Sequence, residues 1–420
     1  MTTLPEGYRV VAVPRDRKPE FHGVDHLAFA FEPDEKTSEI VPDQLEWDRT
    51  MAVERPDGTL AAVHASYDFD LPVPGGELAC SGLTWVGVRP DERRRGLLTA
   101  MIDTHFTRSL ARGEAVSALF AAEPAIYGRF GYGCAADDVR LKLPRGAALR
   151  DVVGSGDLTV RFETLGDEHA DLVHRLHVAA GAGRPGWVTR SSDALRAGRV
   201  VDPPAWRDGG EPMRIVTVHD PAGEPRAYAL LRRKETWVDA GPRYPVSVRE
   251  AVALDAAGAH RLWSFVLDLD LTSDVSVRML AADDPLLALL VDPRGATPAF
   301  GDNIWVRLLD LPVALGARRY SAPLDVVVDV TDTRVATNAG RWRLRTGGPD
   351  TQGYPLTATR TTDDVDLHLD VRELGAAYLG GRSLDGYARA GLVTERTPGS
   401  VRAAASAFAW PVAPVCSWVF

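Results

Sequence analysis

The hydrophobic pattern of residues 1–150 predicts a mixed α/β unit. Residues 78–88 are almost all small or apolar, which is typical of a strand covered on both faces. Pro56-Asp57-Gly58 predicts a hairpin turn between two shorter strands at 50–54 and 59–69. Further strands are predicted at 8–13 and 116–122, with a short helix at 124–130. A longer helix that ends at Gly113 is predicted to turn one apolar face inward, formed by Leu98, Met101, Ile102, Phe106 and Leu110.

Two more segments follow a Gly154-Ser155-Gly156 stretch, which predicts a linker. The second segment repeats the α/β pattern, with strands at 158–162, 213–219, 227–233, 246–253 and 275–280 and helices at 168–180 and 259–268. The third begins near Trp305, with strands at 324–330, 341–346 and 365–370 and helices at 373–379 and 400–408. Residues 410–420 are apolar to the end, so we expect them to be buried, unlike most C-termini.

Composition narrows the class of protein. A chain of 420 residues exceeds one comfortable core and predicts two or three domains. Its three cysteines form no close pair, the N-terminus lacks a signal-peptide pattern, and no apolar run is long enough to span a membrane, so we expect a cytoplasmic protein without membrane association. The net charge of −10 argues against nucleic acid as a partner. It either favours a cationic small-molecule ligand or serves only solubility.

The candidate chemistry centres on the run VGVRPDERRRGLL at 86–98. A predicted strand leads into an arginine-rich loop that ends in Gly96, and a helix opens directly afterwards. Backbone N–H groups and cationic side chains are thereby presented to a pyrophosphate at a helix N-terminus. The alternative interpretation is a solvated turn, the usual fate of a run of charge. We favour phosphate binding, because the glycine also allows a ligand to approach the backbone.

Other chemistries receive less support. His22 and His26 stand four residues apart, and His174 and His177 have the spacing to share a helix face. No HExxH pattern or cysteine accompanies them, so we predict structural histidines and no metal site. The absence of GxSxG, Walker and GxGxxG motifs argues against serine hydrolases, P-loop NTPases and dinucleotide dehydrogenases.

Two groups are candidates for proton transfer. Tyr127 follows a strand beside the arginine-rich loop, where its hydroxyl can face reacting atoms instead of serving only as a core aromatic. The terminal carboxylate of Phe420 is the second group. A terminal carboxylate has an ordinary pKa of about 3.3–3.7 and is a weak base, and burial among aromatic residues would raise that pKa.

The runs VGVRPDERRRGLL at 86–98, AAEPAIYGRFGYG at 121–133 and PVCSWVF at 414–420 closely resemble the Eis-type acetyltransferases of the GNAT superfamily. The resemblance extends over essentially the whole chain, including GDNIWVRL at 301–308. It implies an α/β (α+β) architecture with a catalytic GNAT domain at 1–150, a degenerate GNAT-like domain at 151–304 and a sterol-carrier-protein-like domain at 305–420. It also implies a homohexamer, a dimer of trimers.

The same resemblance implies the site and the activity. Acetyl-CoA would lie along Val86, Gly87, Val88, Arg93, Arg94, Arg95, Gly96, Leu97, Leu98, Thr99, Ala122 and Glu123. Tyr127 would be the general acid and the terminal carboxylate of Phe420 the general base. The expected activity is acetyl transfer to primary amines of a cationic small molecule, such as an aminoglycoside or a polyamine, which would confer antibiotic resistance in the first case. The alternatives are a protein lysine acetyltransferase and a non-enzymatic carrier of hydrophobic ligands.

Overall fold

The structure is a computed structural model that describes residues 4–32 and 34–420. Its first part places a long antiparallel hairpin of two strands, Leu60–Val73 and Gly76–Val88, beside the amphipathic helix Leu97–Ala111. The elements of this part are β1 (Arg9–Ala12), α1 (Lys18–Phe29), α2 (Glu35–Ile40), β2 (Met51–Glu54), β3 (Leu60–Val73), β4 (Gly76–Val88), α3 (Leu97–Ala111), β5 (Val116–Phe120), α4 (Pro124–Tyr127) and β6 (Gly133–Cys134).

The second part runs from residue 137 to residue 302 and again combines a long hairpin with an amphipathic helix. Its elements are β7 (Asp137–Pro144), β8 (Thr159–Thr164), α5 (Ala170–Ala180), α6 (Asp193–Val200), β9 (Arg214–His219), β10 (Pro225–Arg233), β11 (Trp237–Val238), β12 (Gly241–Pro242), β13 (Tyr244–Ala253), α7 (Ala256–Leu267), β14 (Thr272–Leu280), α8 (Pro285–Leu289) and β15 (Ala299–Asp302).

The third part begins with a strand and ends in a helix followed by the tail. Its elements are β16 (Ile304–Leu308), α9 (Leu311–Ala317), β17 (Asp325–Thr331), β18 (Gly340–Thr346), β19 (Leu356–Arg360), β20 (Leu367–Asp370), α10 (Val371–Ala377), α11 (Leu384–Arg389), β21 (Val393–Glu395) and α12 (Ser400–Phe408). No helix within residues 4–32 and 34–420 is both long and apolar enough to cross a membrane.

Two seven-stranded sheets share one design. The first has the order β1-β2-β3-β4-β5-β16-β6 and the second the order β8-β9-β10-β13-β14-β7-β15. In each sheet four antiparallel strands are followed by one parallel neighbour, and the last two strands are antiparallel again. Strands β17 to β21 form a separate five-stranded sheet. The predicted α/β organisation with two similar units and a third one is confirmed.

The two sheets exchange their sixth strands. β7 follows the first unit along the chain but pairs with β14 of the second sheet, whereas β16 comes after the second unit and pairs with β5 of the first. The predicted domain limits at residues 150 and 304 stay predictions, and hydrogen bonding between strands crosses both of them. The exchange ties the two sheets together, because neither is complete without a strand from the other side of its limit.

The helix that follows the arginine-rich loop is α3, and its buried face differs at one predicted position. Met101, Ile102 and Phe106 are buried as expected, but Leu110 is 37% exposed. The inward face continues from Phe106 to Ser109, which is fully buried, so the prediction for Leu110 was wrong. The pattern pointed to Leu110 because it is apolar and four residues from Phe106, although Ser109 at three residues shares the face equally well.

Candidate functional site

A fork between two parallel strands forms the centre of the candidate site. β4 and β5 pair in parallel only as far as Gly82 and Ala118, and beyond this point they diverge. On its other side β4 carries one extra residue relative to β3, because Val63 faces Gly87 whereas Ala65 faces Thr84. Trp85, inside this bulge, has a φ of +53°. The bulge redirects the backbone of β4 toward the open fork.

The loop after β4 presents its backbone to a ligand. Arg94 and Gly96 both have left-handed backbone conformations, with φ of +64° and +82°. Gly96 is the N-cap of α3 and supplies no side chain to the helix end, and no acidic residue stands in the first turn. The first helical bond is that of the Ala100 N–H with the Gly96 carbonyl at 3.0 Å. The N–H groups that precede it are therefore available to an anion, which the helix dipole also favours.

Glu92, an acidic residue of the same loop, binds two arginines, Arg95 and Arg55. Glu92, 6% exposed, accepts from Arg95 at 2.6 Å and from the Tyr8 hydroxyl at about 3.1 Å, and it pairs with Arg55 at 2.8 Å. The Arg95 guanidinium also lies 4.8 Å from the Tyr8 ring centroid. The side chain of Arg95 thus stabilises the loop itself, through its contacts with Glu92 and Tyr8. Its predicted contact with a cofactor stays a prediction.

Arg93 and Arg94 are left for a ligand. Both side chains are exposed, and neither forms an ion pair or side-chain hydrogen bond within the part of the chain that the structure describes. A pyrophosphate placed at the start of α3 would meet two guanidinium groups and a row of N–H donors. The chemistry of this donor set therefore fits a nucleotide-like cofactor.

An open cleft of about 650 Å³ gathers most of the predicted residues. Those lining it are Val86, Val88, Arg93, Arg94, Gly96, Leu97, Leu98, Thr99, Ala122, Glu123 and Tyr127. Gly87 is the exception on β4, because a Cβ there would lie 3.2 Å from the Cβ of Ala28 on α1. The sequence reasoning missed six further residues that line the cleft: Ala28, Phe29, Pro90, Glu92, Ile126 and Arg129. Ile126 and Arg129 stand inside the 121–133 motif, which was the available signal.

Tyr127 ends the short helix α4 beside the fork. Its side chain is 8% exposed and its ring lies 5.9 Å from that of Tyr132. Burial, assisted by the negative charge of Glu123, raises the pKa of Tyr127 to about 12. Among the described residues no hydrogen bond engages its hydroxyl. The group therefore keeps its proton at neutral pH and has it available for a partner in the cleft.

Phe420 reaches the same fork from the opposite side. Its ring packs 4.9 Å from Phe69 and 5.3 Å from Phe120, the last residue of β5. A Cβ on Gly82, the last residue of β4 that pairs with β5, would lie 3.3 Å from the Phe420 ring. The tail is not buried to its end, however. Val415 to Trp418 are buried, but Val419 is 52% exposed because it turns away from the core between two inward aromatic side chains.

The tail is held along its length by polar contacts with the second unit. His177 on α5 bonds the Ser417 hydroxyl at 2.7 Å, and the Trp418 indole N–H donates to the Val188 carbonyl at 2.8 Å. Arg190, itself 1% exposed, lies 5.2 Å from the Trp418 ring. The tail therefore passes from the second unit to the fork of the first in one fixed course.

Three of the four candidate histidines, His22, His26 and His177, contact other side chains of the fold. The rings of His22 and His26 stack 6.0 Å apart on α1, and His177 bonds Ser417 as described. Burial lowers the pKa of His177 to about 3, so it is neutral at physiological pH. Over residues 4–32 and 34–420 no group of three histidine, cysteine or carboxylate side chains has the arrangement of a metal site.

Comparison with protein families divides the chain into three matches. Residues 10–135 match a family described as an acetyltransferase (GNAT) domain, and residues 186–308 match a second GNAT domain family. Residues 311–417 match the sterol carrier protein domain. The two GNAT matches end where the sheets exchange strands, at β6 and at β16.

Similar proteins align with most of the chain. An uncharacterized N-acetyltransferase of Streptomyces avermitilis is 39% identical over 371 residues, covering 88% of each chain. The N-acetyltransferase Eis of Mycobacterium bovis is 31% identical over 354 residues, covering 81% of each. The crystal structure of Eis1 from Mycobacterium abscessus superposes with a TM-score of 0.80 at 29% identity, over 98% of this chain and 100% of that one.

The order of domains, the fork with its uncapped helix and these similarities lead to one conclusion. The chain belongs to the Eis-type N-acetyltransferases of the GNAT superfamily, with two GNAT domains followed by a sterol carrier protein domain.

Proposed function

We propose that this protein transfers the acetyl group of acetyl-CoA to a primary amine at the β4–β5 fork. The observation that carries the proposal is the uncapped start of α3, with Arg93 and Arg94 unpaired, opening into the same cleft as Tyr127. The presence of a free anion site and a buried proton donor in one cleft is what an acyl-CoA transferase requires. The comparisons support acyl-CoA chemistry in general, and acetyl-CoA is our specific assignment.

The residues present fit acetyl-CoA along the cleft. Arg93, Arg94 and the N–H groups of Leu97 to Thr99 would hold its pyrophosphate, and Leu97 follows directly on Gly96. Val86 and Val88 on the bulged strand offer backbone groups on one side, and Ala122 and Glu123 line the other. When bound, acetyl-CoA supplies an acetyl group activated as a thioester.

Tyr127 would act as the general acid. Its pKa of about 12 keeps the phenol protonated throughout the neutral range. The hydroxyl donates its proton to the sulfur that leaves as the acetyl group moves, while N–H groups of the bulged strand near Val86 stabilise the oxygen that gains charge. The proton donor and the N–H groups thus act on two different atoms of one thioester.

The carboxylate of Phe420 would act as the general base. A primary amine has an ordinary pKa of about 10.4 and arrives mostly protonated, so it must lose a proton before it attacks. The aromatic packing of Phe420 against Phe69 and Phe120 fixes the end of the chain at the fork. The carboxylate there accepts the proton directly or through one water molecule.

The acceptor is tested by a panel of amines with purified protein. We expect acetyl-CoA-dependent thiol release with a primary amine, and a mass increase of one acetyl group on that amine. Aminoglycosides and polyamines represent the predicted cationic class, and peptides with lysine represent the protein-acetylating alternative. A protein that neither binds nor turns over acetyl-CoA would contradict the proposal, and a lipid that co-purifies with it would then favour a carrier.

Assembly and location stay predictions. The homohexamer, a dimer of trimers, is measured by light scattering coupled to gel filtration. The cytoplasmic location is measured by fractionation of the host cell.

A further inference from the structure

A groove on the second unit carries an unexpected concentration of arginine. It has a volume of about 440 Å³ and lies along the tail, with Ser417, Trp418 and Val419 in its lining. Val419 is the neighbour of Phe420, whose ring is at the β4–β5 fork. The groove therefore lies beside the residue that immediately precedes the terminal carboxylate.

A second strand fork creates this groove. β13 and β14 pair in parallel as far as Val248 and Val277, and the next residue on each strand is an arginine, Arg249 and Arg278. Arg249 is also the extra residue of a bulge, because Leu230 faces Glu250 whereas Leu231 faces Val248. The bulge and the divergence of the strands bring both side chains into the lining of the groove.

The acids near the groove are already committed to other arginines. Glu250, 3% exposed, pairs with Arg190 at 2.8 Å and with Arg199. Asp202 accepts from Arg207 at 3.0 Å and pairs with Arg232. Each carboxylate thus faces two guanidinium groups, which leaves an excess of positive charge before Arg249 and Arg278 are counted.

Arg249 and Arg278 have no acidic partner of their own. Neither forms an ion pair or a side-chain hydrogen bond within residues 4–32 and 34–420. Arg249 is half-buried, and burial lowers the pKa of its guanidinium. Behind the Trp418 ring, which lines the groove and lies 5.2 Å from the Arg190 guanidinium, Nε and Nη1 of Arg190 lack hydrogen-bond partners in the described structure. The groove lining thus holds four arginines, Arg199, Arg232, Arg249 and Arg278, against the one carboxylate of Asp202, an excess that stands against the overall charge of −10.

We infer that this groove binds an anionic group, a carboxylate or a phosphate, on the far end of the amine that is acetylated. The inference rests on the proposed acetyl transfer at the fork and specifies its acceptor. The exposed indole of Trp206 and the side chain of Val419, both in the lining, offer apolar contact to the part of the acceptor between amine and anion. A polycation such as an aminoglycoside would instead meet like charge, which is unfavourable.

Three probes of equal length separate these possibilities: ε-aminocaproate, hexylamine and hexamethylenediamine, whose far ends are negative, neutral and positive. We expect ε-aminocaproate to bind and to be acetylated best and the diamine worst, with about a tenfold step between the negative and the neutral probe, as for one charge-assisted hydrogen bond. Phosphate-ended amines of the same length distinguish the two anions. Binding is measured by calorimetry on the full chain, and turnover by thiol release.

Variants assign the effect to the groove. Arg278→Gln and Arg249→Gln are expected to remove the preference for ε-aminocaproate and to leave the Kd of acetyl-CoA unchanged. Arg161→Gln, an exposed position on edge strand β8 of the same sheet, is the matched control and is expected to keep the preference. Equal binding of all three probes, or a preference that survives Arg278→Gln and Arg249→Gln together, would overturn the inference. Loss of acetyl-CoA binding or turnover concerns the proposed function instead, because the charge preference is scored from binding alone.

Discussion

The side-chain amide of Asn303 forms hydrogen bonds with both backbone groups of Cys416, its N–H and its carbonyl. Its Oδ1 accepts the Cys416 N–H at 2.8 Å and its Nδ2 donates to the Cys416 carbonyl at 3.0 Å, in a fully buried position. Asn303 lies between β15 and β16, where the chain leaves the second sheet and enters the first. The crossing point of the two sheets thus also sets the course of the tail toward the fork.

Replacing Asn303 tests whether these two hydrogen bonds position the terminal carboxylate. Asn303→Ala leaves two backbone groups of Cys416 unpaired, so we expect a loss of about 1–3 kcal/mol in stability and a marked fall in kcat. The Kd of acetyl-CoA should stay the same, because Asn303 is absent from the cleft lining. Asn338→Ala is the matched control. Asn338 is equally buried and bonds Leu308 and Asp332, so this variant should lose stability without the fall in kcat.

Tyr127→Phe removes the proposed proton donor and keeps the ring. We expect kcat to fall about 10²- to 10⁴-fold with little change in acetyl-CoA affinity, measured by steady-state kinetics and calorimetry. Tyr132→Phe provides the comparison, since the Tyr132 ring contacts Tyr127 and its hydroxyl, among the described residues, bonds Ser117 alone, at 2.8 Å. That variant should become less stable and remain active. Wild-type turnover in Tyr127→Phe would remove this residue from the mechanism.

A single glycine added after Phe420 displaces the terminal carboxylate by up to about 3.6 Å. We expect a loss of kcat comparable to that of Tyr127→Phe, because a general base must lie within hydrogen-bond reach of the proton that it accepts. The same residue added at the N-terminus serves as control and should have no effect. Full activity of the C-terminally extended protein would exclude the carboxylate as base.

Substitutions of Arg93 and of Arg95, two arginines of the same loop, should change different properties of the protein. Arg93→Gln is expected to raise the Kd of acetyl-CoA about tenfold, and less at high salt, because an exposed charged contact with phosphate is lost. Arg95→Gln takes one partner from buried Glu92 and should lower the melting temperature with little change in Kd. Equal weakening of acetyl-CoA binding by both variants would show that Arg95 contacts the cofactor after all.

Buried His64 should make the protein less stable in mild acid. Burial, together with the positive charge of Arg108, lowers its pKa to about 3, whereas the unfolded chain takes up the proton below about pH 6.5. The contribution of neutral His64 is thus complete above about pH 6.5 and is lost as pH falls toward 3. We expect the free energy of unfolding of wild type, relative to His64→Asn, to fall by up to about 1.4 kcal/mol per pH unit in this range, measured by urea titration. Parallel pH profiles would contradict this assignment.

Much of the central structure follows from local pattern. The strand predicted at 78–88 is observed as β4 from Gly76 to Val88, and the helix predicted at 400–408 is α12 with the same limits. The cleft likewise collects residues that the motif at 86–98 had brought together. Such features depend on periodicity and on the geometry of a strand that leads into a helix, both of which act over a few residues.

Two helices have local sequence patterns that are too weak to predict them. Helices α1 and α2 were not predicted, although α1 supplies Ala28 and Phe29 to the cleft. The buried residues of α1 are only Phe21, Val24 and Asp25, so its apolar face is short and the chain pattern does not reveal it. Its contribution to the site comes from packing against Gly87 of β4.

The sequence by itself determined the α/β character, the arginine–glycine loop, the helix that begins after it and the apolar tail, because each depends on residues that are neighbours in the chain. Only the tertiary structure decided that β7 and β16 change sheets, that Arg95 supports Glu92, and that Ser417 bonds His177 across 240 positions of the chain. These relationships join residues that no periodicity connects. Their energy depends on burial and on partners that only folding brings together.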